Sequence, residues 1–169
     1  MLGLYGMPLE NLHFTGFETG FGEIAPRLVE MGHDVTIYCR SSHYPDDLRL
    51  PVYKGVKLKF VPSPGGKSLS GLIATLFASF HALLFGRYDV FFFVNVGMGH
   101  HAALCRLLGA TVVMNVDGLD WTRAKWGPMA KLYFRTAARS AIRFCNRLVT
   151  DAWAMQKFYR DEFNKETTM

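Results

Sequence analysis

The sequence is poor in cysteine, with only Cys39, Cys105 and Cys145 in 169 residues. They lie far apart, form no C-x-x-C pair and are odd in number, which argues against a disulfide framework or a zinc site. A reducing cytoplasm is therefore the simplest location for the chain. We also expect no metal cofactor, because the adjacent His100 and His101 cannot both face one ion from a helix and no H-E-x-x-H spacing occurs.

Long hydrophobic runs and a leader segment are missing too. The first ten residues, MLGLYGMPLE, lack the basic start and apolar run of a signal peptide. The longest stretch without charge spans Ser68 to Gly86, and its strongly apolar part, Leu72 to Phe85, has only 14 residues. A helix that crosses a bilayer needs about 20. We therefore expect a core helix in this region.

Common nucleotide-binding and nucleophile motifs are absent. The sequence has no G-x-S-x-G and no G-x-x-x-x-G-K-[ST], and Gly16, Gly20 and Gly22 do not form G-x-G-x-x-G. Positive charge, by contrast, is in excess, with a formal net charge of +5. This excess favours an anionic partner, which is nucleic acid, a phosphorylated substrate or a membrane surface.

The pattern of apolar residues predicts alternating strands and helices. Short, nearly all-apolar runs predict strands, and segments with apolar residues at helical spacing predict helices between most of them. This order indicates an α/β fold with a doubly wound, mostly parallel sheet of the Rossmann-like kind. The predicted strands are His33–Arg40, Gly55–Pro62, Tyr88–Asn95, Ala110–Val116 and Asn146–Thr150, and the predicted helices are Glu18–Met31, Ser68–Phe85, Met98–Leu108, Arg123–Phe144 and Ala152–Phe163.

The predicted helix Ser68–Phe85 has two unlike faces. The face of large side chains should cover the sheet. The face of small side chains would admit another helix or the same helix of a partner subunit in a homodimer, or it is simply a thinly covered surface. The large residues are Leu69, Leu72, Ile73, Leu76, Phe77, Phe80, Leu83 and Leu84, and the small ones are Gly71, Ala74, Thr75, Ala78, Ser79 and Ala82.

A band of cations runs along the predicted helix Arg123–Phe144. Residues four apart drift slowly around a helix, so this band is nearly continuous. Such a band usually marks a face that is exposed to solvent. The more specific interpretation is peripheral contact with anionic lipid. Nucleic acid is disfavoured, because no aromatic side chains interleave with the cations. The band contains Lys131, Arg135, Arg139, Arg143 and Arg147.

Polar clusters follow several predicted strands. Arg40 ends one strand, Asn95 ends another, and Asp117 directly follows a third as the first residue of DGLDW. Ligands of parallel α/β sheets bind beyond the carboxyl ends of the strands. Together with the glycine-containing stretch TGFETGFGEIAPRL, these clusters are expected to converge on one edge of the sheet, and such convergence marks a candidate site.

Asp117 is the main candidate for chemistry. A carboxylate at the tip of a central strand can act as a base or stabilise a developing positive charge. A role in a turn or at a helix N-cap is at least as common for such an aspartate. Asp120 competes for that capping role, which leaves Asp117 freer for chemistry.

Four segments resemble one enzyme family. GFETGFGEIAPRLVEMGHDVTIYCR, GVKLKFVPSPGGKSLSGLIATLFASFHALL, NVDGLDWTRAKWG and NRLVTDAWAMQKFYRDEF are similar to the N-terminal half of family 4 (group 1) glycosyltransferases, most closely the rhamnosyltransferase-like branch of polysaccharide biosynthesis. The resemblance implies a GT-B fold, whose first Rossmann-like domain binds most of the acceptor and whose second binds most of the nucleotide-sugar donor. It also implies retention of anomeric configuration without a metal, and acceptors that are commonly lipid-linked sugars at the inner membrane face.

The resemblance also implies roles for individual residues. Gly16, Phe17 and Glu18 match a loop that approaches the sugar and diphosphate of the donor. Asp117 matches a position close to the reacting sugar. The acceptor side would be lined by Asn95, Trp121 and Arg123, and we assign Arg40 to it as well.

Both ends of the chain differ from the family pattern. The family's first strand should precede Gly3, so we expect that strand to be truncated, and the donor domain with its E-x7-E pair should follow Met169. We therefore expect residues 1–169 to form a single acceptor-side domain. Because transfer needs both substrates held across a cleft, we expect this chain alone to be inactive.

Two other function classes remain open from the sequence. One is a stand-alone nucleotide-binding Rossmann-like module, which is disfavoured because Arg40, and no acidic residue, ends its strand. The other is a membrane-surface interaction domain that uses the basic helix. A nucleotide-binding screen tests the first, and salt-sensitive binding to anionic liposomes tests the second.

Overall fold

The computed structural model of the protein describes residues 16–64 and 70–169, except the side chains of residues 16–19 and 48. The chain divides into two compact units, Met1–Leu84 and Phe85–Met169. Each unit contains one three-stranded sheet. The expected truncation of the first strand concerns residues outside the described ones.

The sheet of the first unit has the strand order β1-β3-β2. Strand β1 pairs parallel with β3, whereas the short β2 pairs antiparallel with β3. The first four residues of β1 are buried. A strand that is covered on both faces needs mostly apolar side chains, which explains the apolar run in the sequence. The elements are α1 (Gly16–Glu30), β1 (Thr36–Arg40), β2 (Val52–Tyr53), β3 (Val56–Val61) and α2 (Ser70–Phe85).

The sheet of the second unit has the order β4-β5-β6, and both of its pairings are parallel. Strand β5 is central, and its last residue, Asn115, stands opposite Val94 of β4 and Val149 of β6. The elements are β4 (Val90–Val94), α3 (Gly99–Leu107), β5 (Thr111–Asn115), α4 (Pro128–Phe144), β6 (Arg147–Val149) and α5 (Trp153–Phe163).

The predicted α/β class with mostly parallel strands is confirmed, as for a Rossmann-like half of a GT-B fold. The sequence missed β2, which a tight turn at Lys54 and Gly55 joins to β3, with both residues at positive φ. The predicted start of α4 at Arg123 was wrong, because the helix begins at Pro128 directly after Gly127. Proline suits the first helical position, where its missing N–H would have no intrahelical acceptor.

The prediction that the face of large side chains on α2 is buried was wrong. The small residues Ala74, Ala78 and Ala82 are buried, whereas Phe77 and Phe80 are exposed. Tyr38 of β1 is buried too, and its hydroxyl lies 2.9 Å from Nδ1 of His81 on α2. Other exposed apolar residues of α2 are Leu76, Leu84 and Phe85.

Helices α3 and α4 approach each other closely in the second unit. At Gly99, the first residue of α3, a Cβ atom would overlap the carbonyl oxygen of Ala137 on α4. The buried face of α4 is likewise made of alanines, Ala137, Ala138 and Ala141. Glycine and alanine therefore permit this contact, while the apolar Met129 and Leu132 of α4 stay exposed.

Within the described parts of the chain, no helix combines the length and the apolar character needed to cross a bilayer.

Candidate functional site

The candidate site lies at the carboxyl ends of the three strands in the second unit. Asn95 follows β4, Asp117 comes two residues after β5 and Asp151 comes two residues after β6. Because the three strands are parallel, these ends share one edge of the sheet. The architecture thus brings together side chains that are distant in sequence.

Asparagine side chains close the turns after β4 and β5. The Asn95 side-chain oxygen accepts a hydrogen bond of 2.7 Å from the Gly97 N–H, and Asn95 itself adopts φ 83°. The Asn115 side-chain oxygen accepts one of 2.8 Å from the Asp117 N–H. Asparagine tolerates the left-handed region and mimics a backbone turn with its amide. These bonds fix the path of the chain as it leaves each strand. The second bond also fixes the position of the Asp117 backbone.

Asp120 connects the two turns and is the most buried carboxylate of the site, with 5% exposure. It accepts a hydrogen bond of 3.2 Å from Nδ2 of Asn95 and forms an ion pair with Arg123, whose Nε lies 3.3 Å from the carboxylate. Asp120 is the first residue of a short 3-10 turn whose N-cap is Leu119. Its role is therefore to link the strand ends.

Asp117 is half-buried and is held in an unusual electrostatic setting. Burial raises the pKa of Asp117, and Asp151 raises it further through its negative charge and a hydrogen bond to the Asp117 side chain. A hydrogen bond from the Gly118 backbone and the charge of Arg123 oppose the rise in this pKa. Perturbed pKa values of this kind are common at functional sites, because a catalytic acid or base needs a tuned proton affinity.

Tyr159 of α5 lies beneath these carboxylates. Its side chain is fully buried, and its hydroxyl has no hydrogen-bond partner among the described residues. Burial raises the pKa of Tyr159, and the negative charges of Asp117 and Asp120 raise it further. The pKa of Tyr159 therefore depends on the charges of both carboxylates. A buried hydroxyl without a partner is costly and uncommon in native structures.

The remaining predicted acceptor residues of the second unit stand beside this cluster. The Trp121 ring is half-buried and packs against Phe158 of α5, with 6.3 Å between ring centroids. Arg123 is about half exposed and binds Asp120 rather than Asp117, although its charge acts on both. The structure thus brings Asn95, Asp117, Trp121 and Arg123 into one region.

Arg40 belongs to the first unit, where it ends β1. Its Nη2 atom lies 3.2 Å from Nδ1 of His43. Burial lowers the pKa of His43, and the charge of Arg40 lowers it further, which favours the neutral ring that can accept this bond. The assignment of Arg40 to the acceptor remains a prediction.

The predicted donor-contacting residues also belong to the first unit. Gly16, Phe17 and Glu18 form the first turn of α1, and their side chains lie outside the described ones. A helix N-terminus presents free N–H groups to anions. Their contact with a donor remains a prediction.

The cations predicted to face a membrane are spread along one side of α4. Arg135, Arg139 and Arg143 are exposed, and Lys131 is half-buried. None of the four forms an ion pair with a described residue.

Sequence reasoning missed Asp151 and Tyr159 and gave Asp120 a different role. Asp151 carried a usable signal, because it directly follows the predicted strand Asn146–Thr150, just as Asp117 follows the preceding one. Tyr159 looked like any apolar residue of a helix. Only burial against the carboxylates distinguishes it.

Among the residues that the structure describes, no three or more histidine, cysteine, aspartate or glutamate side chains are grouped so as to hold a metal ion. The polar groups at this edge are the carboxyl groups, the amide of Asn95 and the guanidinium of Arg123.

Comparison with known proteins places the chain in a family. No curated protein sequence matches it. The family model of Glycosyltransferase Family 4, however, matches residues 14–167, which is nearly the whole chain and includes every residue of the cluster described above. The chain belongs to Glycosyltransferase Family 4.

Proposed function

We propose that this chain is the acceptor-side half of a retaining glycosyltransferase, which moves a hexosyl or rhamnosyl group from a nucleotide-sugar to a glycan or lipid-linked acceptor in cell-surface polysaccharide biosynthesis. Family membership supports transfer of a sugar as the general activity. The observation that carries the proposal is the position of Asp117 at the carboxyl end of the central strand, where the Asn115 side chain holds its N–H and where Asn95, Asp120 and Arg123 are bonded to one another.

The proposed chemistry follows from where charge develops during sugar transfer. The transition state of glycosyl transfer resembles an oxocarbenium ion, so positive charge grows on the reacting sugar. A fixed carboxylate such as Asp117 stabilises that charge without reorganisation, which is the strongest form of electrostatic catalysis. Trp121 offers an aromatic face to the acceptor, and Asn95 and Arg123 offer hydrogen-bond donors.

The donor would be held mainly by a second Rossmann-like domain, as the resemblance implies. In the proposed arrangement the first turn of α1, with Gly16, Phe17 and Glu18, approaches the donor diphosphate with its free N–H groups. No metal takes part. Each half then supplies one substrate, and transfer requires both.

The test is Asp117→Asn in a protein that joins this chain to a donor domain, assayed with a panel of nucleotide-sugars by release of the nucleoside diphosphate. We expect turnover to fall at least tenfold, about 1.4 kcal/mol of transition-state stabilisation. The unfolding free energy at neutral pH should stay equal or rise slightly. The raised pKa gives this sign: above it the folded state holds a disfavoured carboxylate, and below the ordinary aspartate pKa the cost vanishes.

Asp161→Asn is the matched control, since Asp161 is an exposed carboxylate on α5 whose one ion pair with a described residue is to Arg160. It should leave turnover unchanged. Near-normal turnover in Asp117→Asn would remove Asp117 from the proposed site. The 169-residue chain by itself should show no transfer, and measurable transfer would refute the need for a donor domain.

We infer in addition that α4 makes peripheral contact with an anionic membrane at the inner face, so that the protein is cytoplasmic and membrane-associated. Arg135, Arg139 and Arg143 are exposed, and the exposed Leu132 falls within the same band of the helix. Cations beside an exposed apolar side chain are typical of helices that lie on a lipid surface. A lipid-linked acceptor would then be reached without leaving the membrane.

The membrane contact is tested by replacing Arg135, Arg139 and Arg143 with glutamine and measuring sedimentation with anionic vesicles. The loss should be about 3 kcal/mol, or roughly a hundredfold in partitioning, and it should shrink at high salt. The matched control replaces Arg27, Lys57 and Arg160, three exposed cations that are already paired with carboxylates. It removes the same number of positive charges. Equal loss in both triple variants would contradict a specific contact through α4.

A further inference from the structure

Helix α2 is inverted compared with an ordinary surface helix. Every exposed side chain of α2 is large and apolar, whereas Ser70, Thr75 and Ser79 are buried. Surface helices of globular proteins normally turn their polar residues to solvent. The side of α2 that faces away from the protein therefore suits an apolar surrounding. The residues that form this outer face of α2 are Leu76, Phe77, Phe80 and Leu84.

The outer face is continuous along the helix. Residues four apart lie on the same side of a helix, so Leu76, Phe80 and Leu84 form a row, and Phe77 widens it. Phe80 and Leu84 are 45% and 72% exposed. No charged residue occurs anywhere in α2. A contiguous exposed apolar surface of this kind marks a place where another molecule or a membrane binds.

The charge around α2 in the sequence has one sign. Residues 48–88, which include α2, contain no aspartate or glutamate. Their cations are Arg49, Lys54, Lys57, Lys59, Lys67 and Arg87. Such a stretch suits an anionic partner. It disfavours a second copy of this chain on the outer face, because two positive stretches would then meet.

Two of these cations lie close to α2. Arg87 comes two residues after the helix, is exposed and forms no ion pair with any residue that the structure describes. Lys59 of β3 is half-buried and acts on His81 of α2: burial lowers the pKa of His81, and the charge of Lys59 lowers it further. An apolar helix face with cations beside it is typical of helices that lie in the surface of an anionic bilayer.

The length of α2 decides how it can meet a bilayer. The helix has 16 residues, fewer than a span requires, which is about 20. Its inner face is packed in the protein through Ala74, Ala78 and Ala82, which are fully buried. Only the outer face is therefore available to lipid, and the helix would lie along the membrane surface.

We propose that α2 lies in the surface of an anionic membrane, with its outer face among the acyl chains and with Lys59 and Arg87 beside the lipid phosphates. The contact is apolar at its centre, unlike the contact proposed for the cations of α4. Neither contact depends on the other, and this one does not depend on sugar transfer.

A fluorescent probe on the outer face tests the proposal directly. Leu84→Cys is labelled with nitrobenzoxadiazole in the 169-residue chain, whose own three cysteines are buried and so stay unlabelled in the folded protein. On binding to vesicles of phosphatidylcholine and phosphatidylglycerol, the emission should shift to the blue. The shift should persist when salt is raised after binding, because screening acts on charges and not on apolar contacts. Leu107→Cys, at the similarly exposed end of α3, is the matched control and should show no shift.

Side-chain replacement gives the second test. Phe77→Gln combined with Phe80→Gln should weaken sedimentation with the same vesicles roughly tenfold or more at high salt, since two apolar side chains no longer enter the bilayer. Leu107→Gln combined with Leu108→Gln removes two exposed apolar side chains elsewhere and should bind like the unaltered chain. Equal loss in both double variants overturns the proposal.

The probe keeps the proposal testable even where a double variant is less stable. Emission of the labelled Leu84→Cys chain that does not shift overturns the contact through α2, even if the chain sediments with vesicles through α4. Dimerisation without vesicles that is lost in the variant with Phe77→Gln and Phe80→Gln also overturns it, because the outer face would then bind a second copy. A shift that survives replacement of Arg135, Arg139 and Arg143 by glutamine supports α2 independently of α4.

Discussion

The carboxyl ends of the two sheets carry opposite charge. In the first unit, the end of β1 holds Arg40 beside His43, and Arg49 donates to the Ser41 carbonyl oxygen over 2.9 Å. In the second unit, Asp117, Asp120 and Asp151 gather at the ends of β5 and β6. Both ends are carboxyl ends of strands that pair in parallel with a neighbour. The comparison shows that the fold provides the position, while the residue after each strand decides the chemistry.

The difference in charge has a consequence for the ligands. A cationic strand end suits an anionic group such as a phosphate. An acidic end suits a group on which positive charge develops.

Gly99→Ala should have the largest effect on the acidic end, because it removes the close contact that supports it. The added Cβ atom would overlap the Ala137 carbonyl oxygen, so α3 must move away from α4. We expect a loss of roughly 3 kcal/mol in unfolding free energy, measured by denaturant titration. Gly127→Ala is the control, since no atom lies within 4 Å of a Cβ there. A similar loss in both variants would show that the α3–α4 contact is not what matters.

Asp120→Ala should have an intermediate effect. It leaves Nδ2 of the half-buried Asn95 and Nε of the half-exposed Arg123 without their acceptor. The expected cost is about 1–3 kcal/mol of unfolding free energy. Asp117→Asn, at the same edge, should cost nothing at neutral pH. If Asp120→Ala proved as harmless as Asp117→Asn, the link between the two strand ends would carry no stability.

Arg40→Gln should have the smallest effect and tests the basic end. Removing the Arg40 charge should raise the pKa of His43, although only in part, because burial is the larger cause of its lowering. Histidine ring NMR signals followed over pH would show this shift. Lys59→Gln is the matched control: it should raise the pKa of His81 and leave His43 unchanged. A His43 titration that ignores Arg40 would mean that the two strand ends do not differ in the way described.

The sequence alone determined the kind and order of the main elements. Alternating apolar runs and helical spacings are local patterns, so β1, β4, β5 and α5 lie close to where the sequence predicted them. The same local logic led to Asn95 and Asp117, because a residue that follows a buried strand must lie at a sheet edge. Family membership agrees with the segments that carried the resemblance.

Tertiary structure alone decided which faces are buried and which side chains meet. On α2 the small residues Ala74, Ala78 and Ala82 are buried while Phe77 and Phe80 are exposed, and helical spacing alone cannot tell which of the two faces packs inward. Asp151 acts on Asp117, 34 positions earlier in the chain, only because the parallel strands β5 and β6 end at the same edge of the sheet. Periodicity is a property of neighbours along the chain. Volume and pairing are properties of neighbours in space, and those were settled only when the chain had folded.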